Sequence, residues 1–170
     1  DIATGLTTGN NAKNIRKFWE VNLEKDCFKP FAKGGKKSWI MPEDKRVINW
    51  TKKGDEIRRT PSSVMRNEKY YEREGLTWTV IKRTGRRFGY LPKGHIFEVS
   101  GSMLFPKRDL SHWKLLALMN SNLYHNLFLS LTIERHLQIE EVARTPWIEE
   151  LEELDTLEEL SRKQYQLMLE

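Results

Sequence analysis

The sequence predicts an α+β fold: a small, twisted, mainly antiparallel sheet with basic loops, followed by a helical layer from about residue 109. Three observations carry that reading. Residues 75–105 hold short apolar runs separated by turn residues, the mark of adjacent strands. After Pro106 the pattern changes to a leucine stripe with helical spacing. Charge divides the same way: residues 1–110 carry 24 Lys and Arg against 13 Asp and Glu, whereas residues 111–170 carry 5 against 11. The overall +5 therefore hides a +11 part followed by a −6 part.

In chain order, "NAKNIRKFWEVN" predicts a short helix, since Ile15, Phe18 and Trp19 fall at i, i+3, i+4 with Asn10 or Asn11 as N-cap. "FKPFAKGGKKSW" predicts a loop, punctuated by Pro30 and Gly34-Gly35. "RVINW" (46–50) predicts a strand ending at a turn near Gly54. Strands follow at "LTWTVIKR", "RRFGYL" and "HIFEVSGSMLF", with turns at Thr84-Gly85 and Pro92-Lys93-Gly94. In the last third, "DLSHWKLLALMNSNLYHNLFLSL" predicts two helices broken at Asn120-Ser121-Asn122, with Ser111 or Asp109 as first cap. "HLQIEEVARTPWI" reads as extended or irregular, and the tail as an acidic helix with Leu151, Leu154, Leu157 and Leu160 as a stripe wanting a partner.

Composition narrows the class. Hydrophobic content of 38% with six Trp and seven Phe fits a globular chain. No apolar run approaches the ~18 residues of a membrane span, so no membrane partner is expected. Cys27 is the single cysteine, so no internal disulfide forms, and a cytoplasmic location is the simplest expectation. The first residue is Asp, not Met, which suggests an excised or processed piece of a longer chain.

Nothing recommends the chain as a catalyst. It has neither a Gly-x-Gly-x-x-Gly nor a Gly-x4-Gly-Lys-Ser/Thr phosphate loop. His95, His112, His125 and His136 lack metal-ligand spacing, so no metal is expected. Cys27 has no recognisable base beside it. What remains is a set of basic loops interleaved with Trp, Tyr and Phe. Lys33, Lys36, Lys37, Lys52, Lys53 and Lys82 suit phosphates; Arg58, Arg59, Arg83, Arg86 and Arg87 could also address base edges. A solvated basic surface explains the same residues, and core packing explains most of the aromatics, including Trp50, Trp78 and Phe97.

Several blocks together resemble a known family. "GLTTGNNAKNIRKFWEV" is similar to a G-L-x-T-G-D-N-x-x-F-x-R-x-W-x-E-V stretch of large adenine-specific DNA methyltransferases. These are the PglX-type enzymes of BREX phage-defence systems and single-chain type IIG (IIL) restriction-modification enzymes. Lys33-Gly34-Gly35 with Trp39, "VINW" with Gly54 and Ile57, "RNEKYYEREGLTWT" and "YLPKGHIFEVSGSMLF" resemble further blocks in the same order. "LLALMNSNLYHNLFLSL" and "LQIEEVARTPWI" resemble segments of TaqI-like specificity domains. The pattern departs at Asn10, where the family has Asp, and at Asn14-Ile15; the lysine-rich block is one residue tighter.

The resemblance implies a DNA target-recognition domain over 1–147 (sheet and loops 1–108, helical layer 109–147), with 148–170 as an acidic amphipathic helix. It implies double-stranded DNA and an upstream methyltransferase domain of the same polypeptide as partners. The N-P-P-Y and S-adenosylmethionine glycine motifs are absent from these 170 residues. The cofactor is therefore expected in the parent enzyme and none in this stretch. Two other readings stay open: an RNA-binding module whose aromatics stack on unpaired bases, and a protein-interaction module using the acidic leucine helix.

Overall fold

The computed structural model describes residues 1–23, 27–34, 45–81, 86–106, 110–132 and 136–170. It is α+β, but the strands form two four-stranded sheets where one was expected. The first sheet runs β1 (Ile2–Ala3), β8 (Met103–Leu104), β5 (Gly75–Trp78), β6 (Phe88–Leu91), antiparallel throughout. The second runs β2 (Ile15–Lys17), β4 (Arg46–Asn49), β3 (Phe28–Ala32), β7 (Ile96–Phe97), with β3 and β7 parallel. Between the strands lie two one-turn helices, α1 (Asn11–Asn14) and α2 (Asp55–Arg58). Four more follow: α3 (His112–Met119), α4 (Asn122–Leu131), α5 (Ile139–Arg144) and α6 (Asp155–Leu167).

The expected helix over residues 11–22 does not form as such. Asn10 caps α1 by accepting from the Lys13 amide at 3.0 Å, but at Ile15 the chain turns extended and pairs with β4. Sheet pairing overrides the i, i+3, i+4 pattern, and a 3-10 turn over Phe18–Glu20 leaves Phe18 and Trp19 outside the core. The expected loop at Phe28 is strand β3 despite Pro30. The Trp50 amide donates to the Cys27 carbonyl at 2.6 Å, and antiparallel alternation then makes Pro30–Val47 a non-hydrogen-bonded pair. The missing Pro30 N–H thus faces the β7 side, where pairing starts only at Phe31.

"HIFEVSGSMLF" is two strands, not one. Residues 98–102 turn the chain from β7 in the second sheet to β8 in the first, closed by a Gly101 N–H to Glu98 carbonyl bond of 3.1 Å. The N-terminal strand crosses the same place: the Leu6 amide donates to the Phe97 carbonyl at 3.0 Å. A Cβ on Gly5 would lie 1.9 Å from that carbonyl oxygen, so only glycine permits the crossing.

Three apolar clusters fill the fold. One lies between the first sheet and the helices, with Trp78, Phe88, Tyr124 and Phe128 at its centre. A second joins the sheets through Phe97, Met103 and Phe105. The third, around Phe31, Ile48, Trp50 and Ile57, backs the second sheet. The helix break and the first cap are where the sequence placed them: Ser111 accepts from the Trp113 amide, and in the break Ser121 accepts from the Tyr124 amide, each at 3.2 Å. "IEEVAR" is helical, a correction, because the Glu141 carboxylate reaches back to the Gln138 amide at 2.6 Å and starts α5. The acidic tail finds its partner within the chain. Tyr165 packs on Trp113 at 5.0 Å and Lys114 pairs with Asp155 at 2.8 Å, while Leu160 stays in solvent.

Candidate nucleic-acid interface

The described basic candidates fall into three places. The first is the turn from β4 into α2. Asn49 accepts from the Thr51 amide (3.1 Å) and hydroxyl (2.7 Å), pinning the start of the turn. Lys52, Lys53 and Gly54 then adopt left-handed backbone in succession, with φ of 48°, 55° and 83°. Gly54 needs to be glycine, because its φ is positive and a Cβ would meet the Trp50 ring at 3.0 Å. Left-handed backbone costs a non-glycine residue roughly 1–2 kcal/mol, yet two lysines occupy it. Both are exposed, and neither ammonium has a partner among the described residues.

Beside them, Arg58 forks onto Glu68 at 2.8 and 2.5 Å and reaches the Lys53 carbonyl at 3.4 Å. The shared hydrogen bonds raise the Arg58 pKa and hold the Glu68 carboxyl below its ordinary value. Arg59 pairs with Asp55 one turn earlier at 2.8 Å but remains largely in solvent. This segment thus offers two ammonium groups without a partner among the described residues, and two anchored guanidinium groups.

Lys33 lies elsewhere, bound at 3.0 Å to Glu98, whose carboxylate is only 9% exposed and also accepts from the Ser100 hydroxyl at 2.6 Å. Arg86 and Arg87 form the third place. Arg86 donates to the Asn122 side-chain oxygen at the start of α4. Arg87 is buried, 7% exposed, and donates to the Val80 carbonyl at 3.1 Å; burial lowers its pKa. Lys36, Lys37, Lys82 and Arg83, with the turn at Thr84-Gly85, lie outside the described residues.

Sequence reasoning passed over a fourth basic group. Arg16 and Lys17 on β2, Arg46 on β4 and Lys33 line one open hollow of about 340 Å³. Lys17 sits opposite Arg46 in the register, and the Lys45 carbonyl accepts from the Phe18 amide at 3.0 Å. A Lys13–Glu56 pair of 3.0 Å ties this group to α2, and so to the Lys52–Arg59 segment. The signal is present as the run "IRKFW", whose spacing predicts a short helix and hides the strand that carries these charges.

Among the described residues no cluster of His, Cys, Asp and Glu could hold a metal, and no helix is long and apolar enough to cross a membrane. The Nδ1 of His95 lies 3.0 Å from the Pro92 carbonyl, which can only accept, so that nitrogen carries the proton; burial lowers the ring's pKa.

No family model matches the chain. Two curated proteins do. The adenine-specific methyltransferase BrxX of Escherichia coli O9:H4 (strain HS) is 38% identical over 104 residues, covering 60% of this chain and 8% of that protein. The chain is similar to adenine-specific methyltransferases. PglX of Lacticaseibacillus casei (strain Zhang), also an adenine-specific methyltransferase, is 30% identical over 138 residues, covering 69% of this chain and 12% of its own length. The chain therefore spans about a tenth of the length of these relatives. Similarity to BrxX and PglX supports a BREX methyltransferase-related origin for these 170 residues.

Proposed function

We propose that the chain is the target-recognition part of a site-specific N6-adenine DNA methyltransferase, serving BREX defence or restriction-modification. It holds duplex DNA in register while a methyltransferase domain elsewhere in the same polypeptide binds S-adenosylmethionine and transfers the methyl group. The reading rests above all on Lys52 and Lys53, two exposed ammonium groups on strained backbone with no acidic partner among the described residues. Solvation alone does not explain backbone strain, whereas fixed presentation of charge to a phosphate chain does. Similarity to two adenine-specific methyltransferases supplies the reaction. An N6 amino group is out of reach within the base stack, so the catalytic domain must extrude that base. Phosphate contacts from a second domain keep the duplex aligned meanwhile.

The test is equilibrium binding of the 170-residue chain to duplex DNA between 50 and 200 mM salt, with single-stranded RNA as competitor. Each phosphate neutralised gives about 0.9 of log-log salt slope on duplex DNA. We expect weak binding with a slope steeper than −2 and little competition by RNA. Affinity that stays flat across this range, or a preference for RNA, would remove the proposal.

A further inference from the structure

Phe18 and Trp19 are 48% and 60% exposed, although the chain has three apolar clusters in which to bury them. They are not loosely placed. The rings meet edge to face, with centroids 5.0 Å apart and planes at 82°. The Lys17 ammonium sits 5.9 Å from the Trp19 ring centroid, within cation–π range. The Phe18 amide is tied to the Lys45 carbonyl, and the preceding three residues are paired to β4. A solvent-facing indole in the turn that follows β2 results.

Its surroundings identify the occupant. Arg16, Lys17, Lys45 and Arg46 flank the rings in sequence and register. The carboxylate within the segment, Glu20, is occupied in accepting from the Lys17 amide at 2.7 Å. Lysine is depleted from protein–protein interfaces, and this rim is rich in it. Exposed aromatic faces bordered by Lys and Arg match the chemistry of a polyanion whose monomers carry flat π-systems.

We propose that Phe18–Trp19 is a stacking platform for a DNA base freed from the duplex stack, with Arg16, Lys17 and Arg46 holding the neighbouring phosphates. This deepens the DNA-recognition reading and rests on it. Trp19 supplies the stacking face, with Phe18 set at right angles beside it and the Lys17 ammonium within cation–π range. Stacking of this kind tolerates any base, so the platform contributes affinity without choosing sequence.

The experiment compares binding of the 170-residue chain to a fully paired duplex and to the same duplex with one bulged adenine. Wild type is set against Trp19→Ala, Trp19→Phe, Lys17→Ala and Arg46→Ala. We expect wild type to prefer the bulged duplex and Trp19→Ala to bind it about 5- to 150-fold more weakly, with the salt slope unchanged. Trp19→Phe should recover part of that loss. Lys17→Ala and Arg46→Ala should each flatten the salt slope by about one unit. Equal binding of the bulged duplex by wild type and Trp19→Ala, with a steep salt slope in both, overturns the platform and leaves the DNA reading standing. Wild type that binds neither duplex at 50 mM salt overturns both. Thermal melting of each variant confirms that an exposed ring was changed without loss of the fold.

Discussion

The side chain of Asn120 closes both main-chain bonds of Phe88: the Phe88 amide donates to Oδ1 at 3.2 Å, and Nδ2 donates to the Phe88 carbonyl at 2.9 Å. A residue at the end of α3 thus imitates a neighbouring strand along the free edge of β6. Replacing it with Leu strands a buried donor and a buried acceptor, each worth about 1–3 kcal/mol when unsatisfied. Asn120→Leu should lose about 2–4 kcal/mol in urea unfolding, and Asn120→Asp should also destabilise because it removes the donor. A loss below 0.5 kcal/mol in the first variant would show that water replaces the amide at this edge.

Lys52 and Lys53 should separate stability from binding. Lys52→Gly relieves left-handed strain, offset in part by the freer unfolded chain, and should raise stability by up to ~1 kcal/mol. The same change should weaken DNA binding about equally across sequences and lower the salt slope by about one unit. Unfolding curves and binding isotherms on one preparation test both halves, and a Lys52→Gly protein that binds DNA as wild type does would take this lysine out of the interface.

Two groups give stability a pH dependence with a definite sign. Burial lowers the folded pKa of His95, so the unfolded chain takes up its proton first as pH falls. The contribution is complete above the ordinary histidine value of about 6.5 and is lost as pH drops from there through the folded value. His95→Gln should flatten the stability profile in that window. The Arg58 hydrogen bonds lower the Glu68 pKa, so its contribution is present above about 4.3 and is lost as pH falls further. Both side chains are well exposed, so Arg58→Met should cost only about 0.2–1 kcal/mol at neutral pH. Urea midpoints between pH 3 and 8 would expose a wrong sign in either case.

Arg86 and Arg87 are adjacent in sequence but not in situation. Arg87→Ala removes a buried guanidinium from the Val80 carbonyl and should destabilise by about 1–3 kcal/mol without altering a recognised sequence. Arg86→Ala removes a half-buried side chain and its bond to Asn122 and should cost about 0.5–1.5 kcal/mol, read in urea unfolding. If Arg86 reads guanine in a methyltransferase carrying this chain, its loss relaxes one position of the target. Sequencing of methylated sites in both variants distinguishes them; relaxation in Arg87→Ala would place the reading group on the wrong residue.

The class of fold was legible because the leucine stripe after Pro106 and the serine caps are local features, and local hydrogen bonds satisfied them. Where the reading went astray, a distant partner decided. Ile15 to Lys17 became a strand because β4 lay alongside, and the residues at Phe28 because Asn49 and Ile96 lay on either side. The candidate site was legible as composition and less so as geometry. Lys52 and Lys53 lie in a glycine-bearing turn as expected, but charge alone does not reveal that Arg87 is buried. Nor does an aromatic residue declare its exposure: Phe18 and Trp19 share helical spacing with Ile15, yet both stand in solvent.

The pairing of β1 with β8 sets a timetable. Ala3 finds its partner Met103 only after a hundred further residues have been joined. At about 5–20 residues per second of synthesis, that interval is on the order of 5–20 s. The antiparallel trio β2, β4 and β3 has all its residues by Asn49, before half of the interval has passed. Its open side at Phe31–Ala32 then waits for Ile96–Phe97. Until those residues arrive, a nascent chain presents an apolar strand edge to its neighbours on the same messenger, and the parallel closure by β7 ends that exposure.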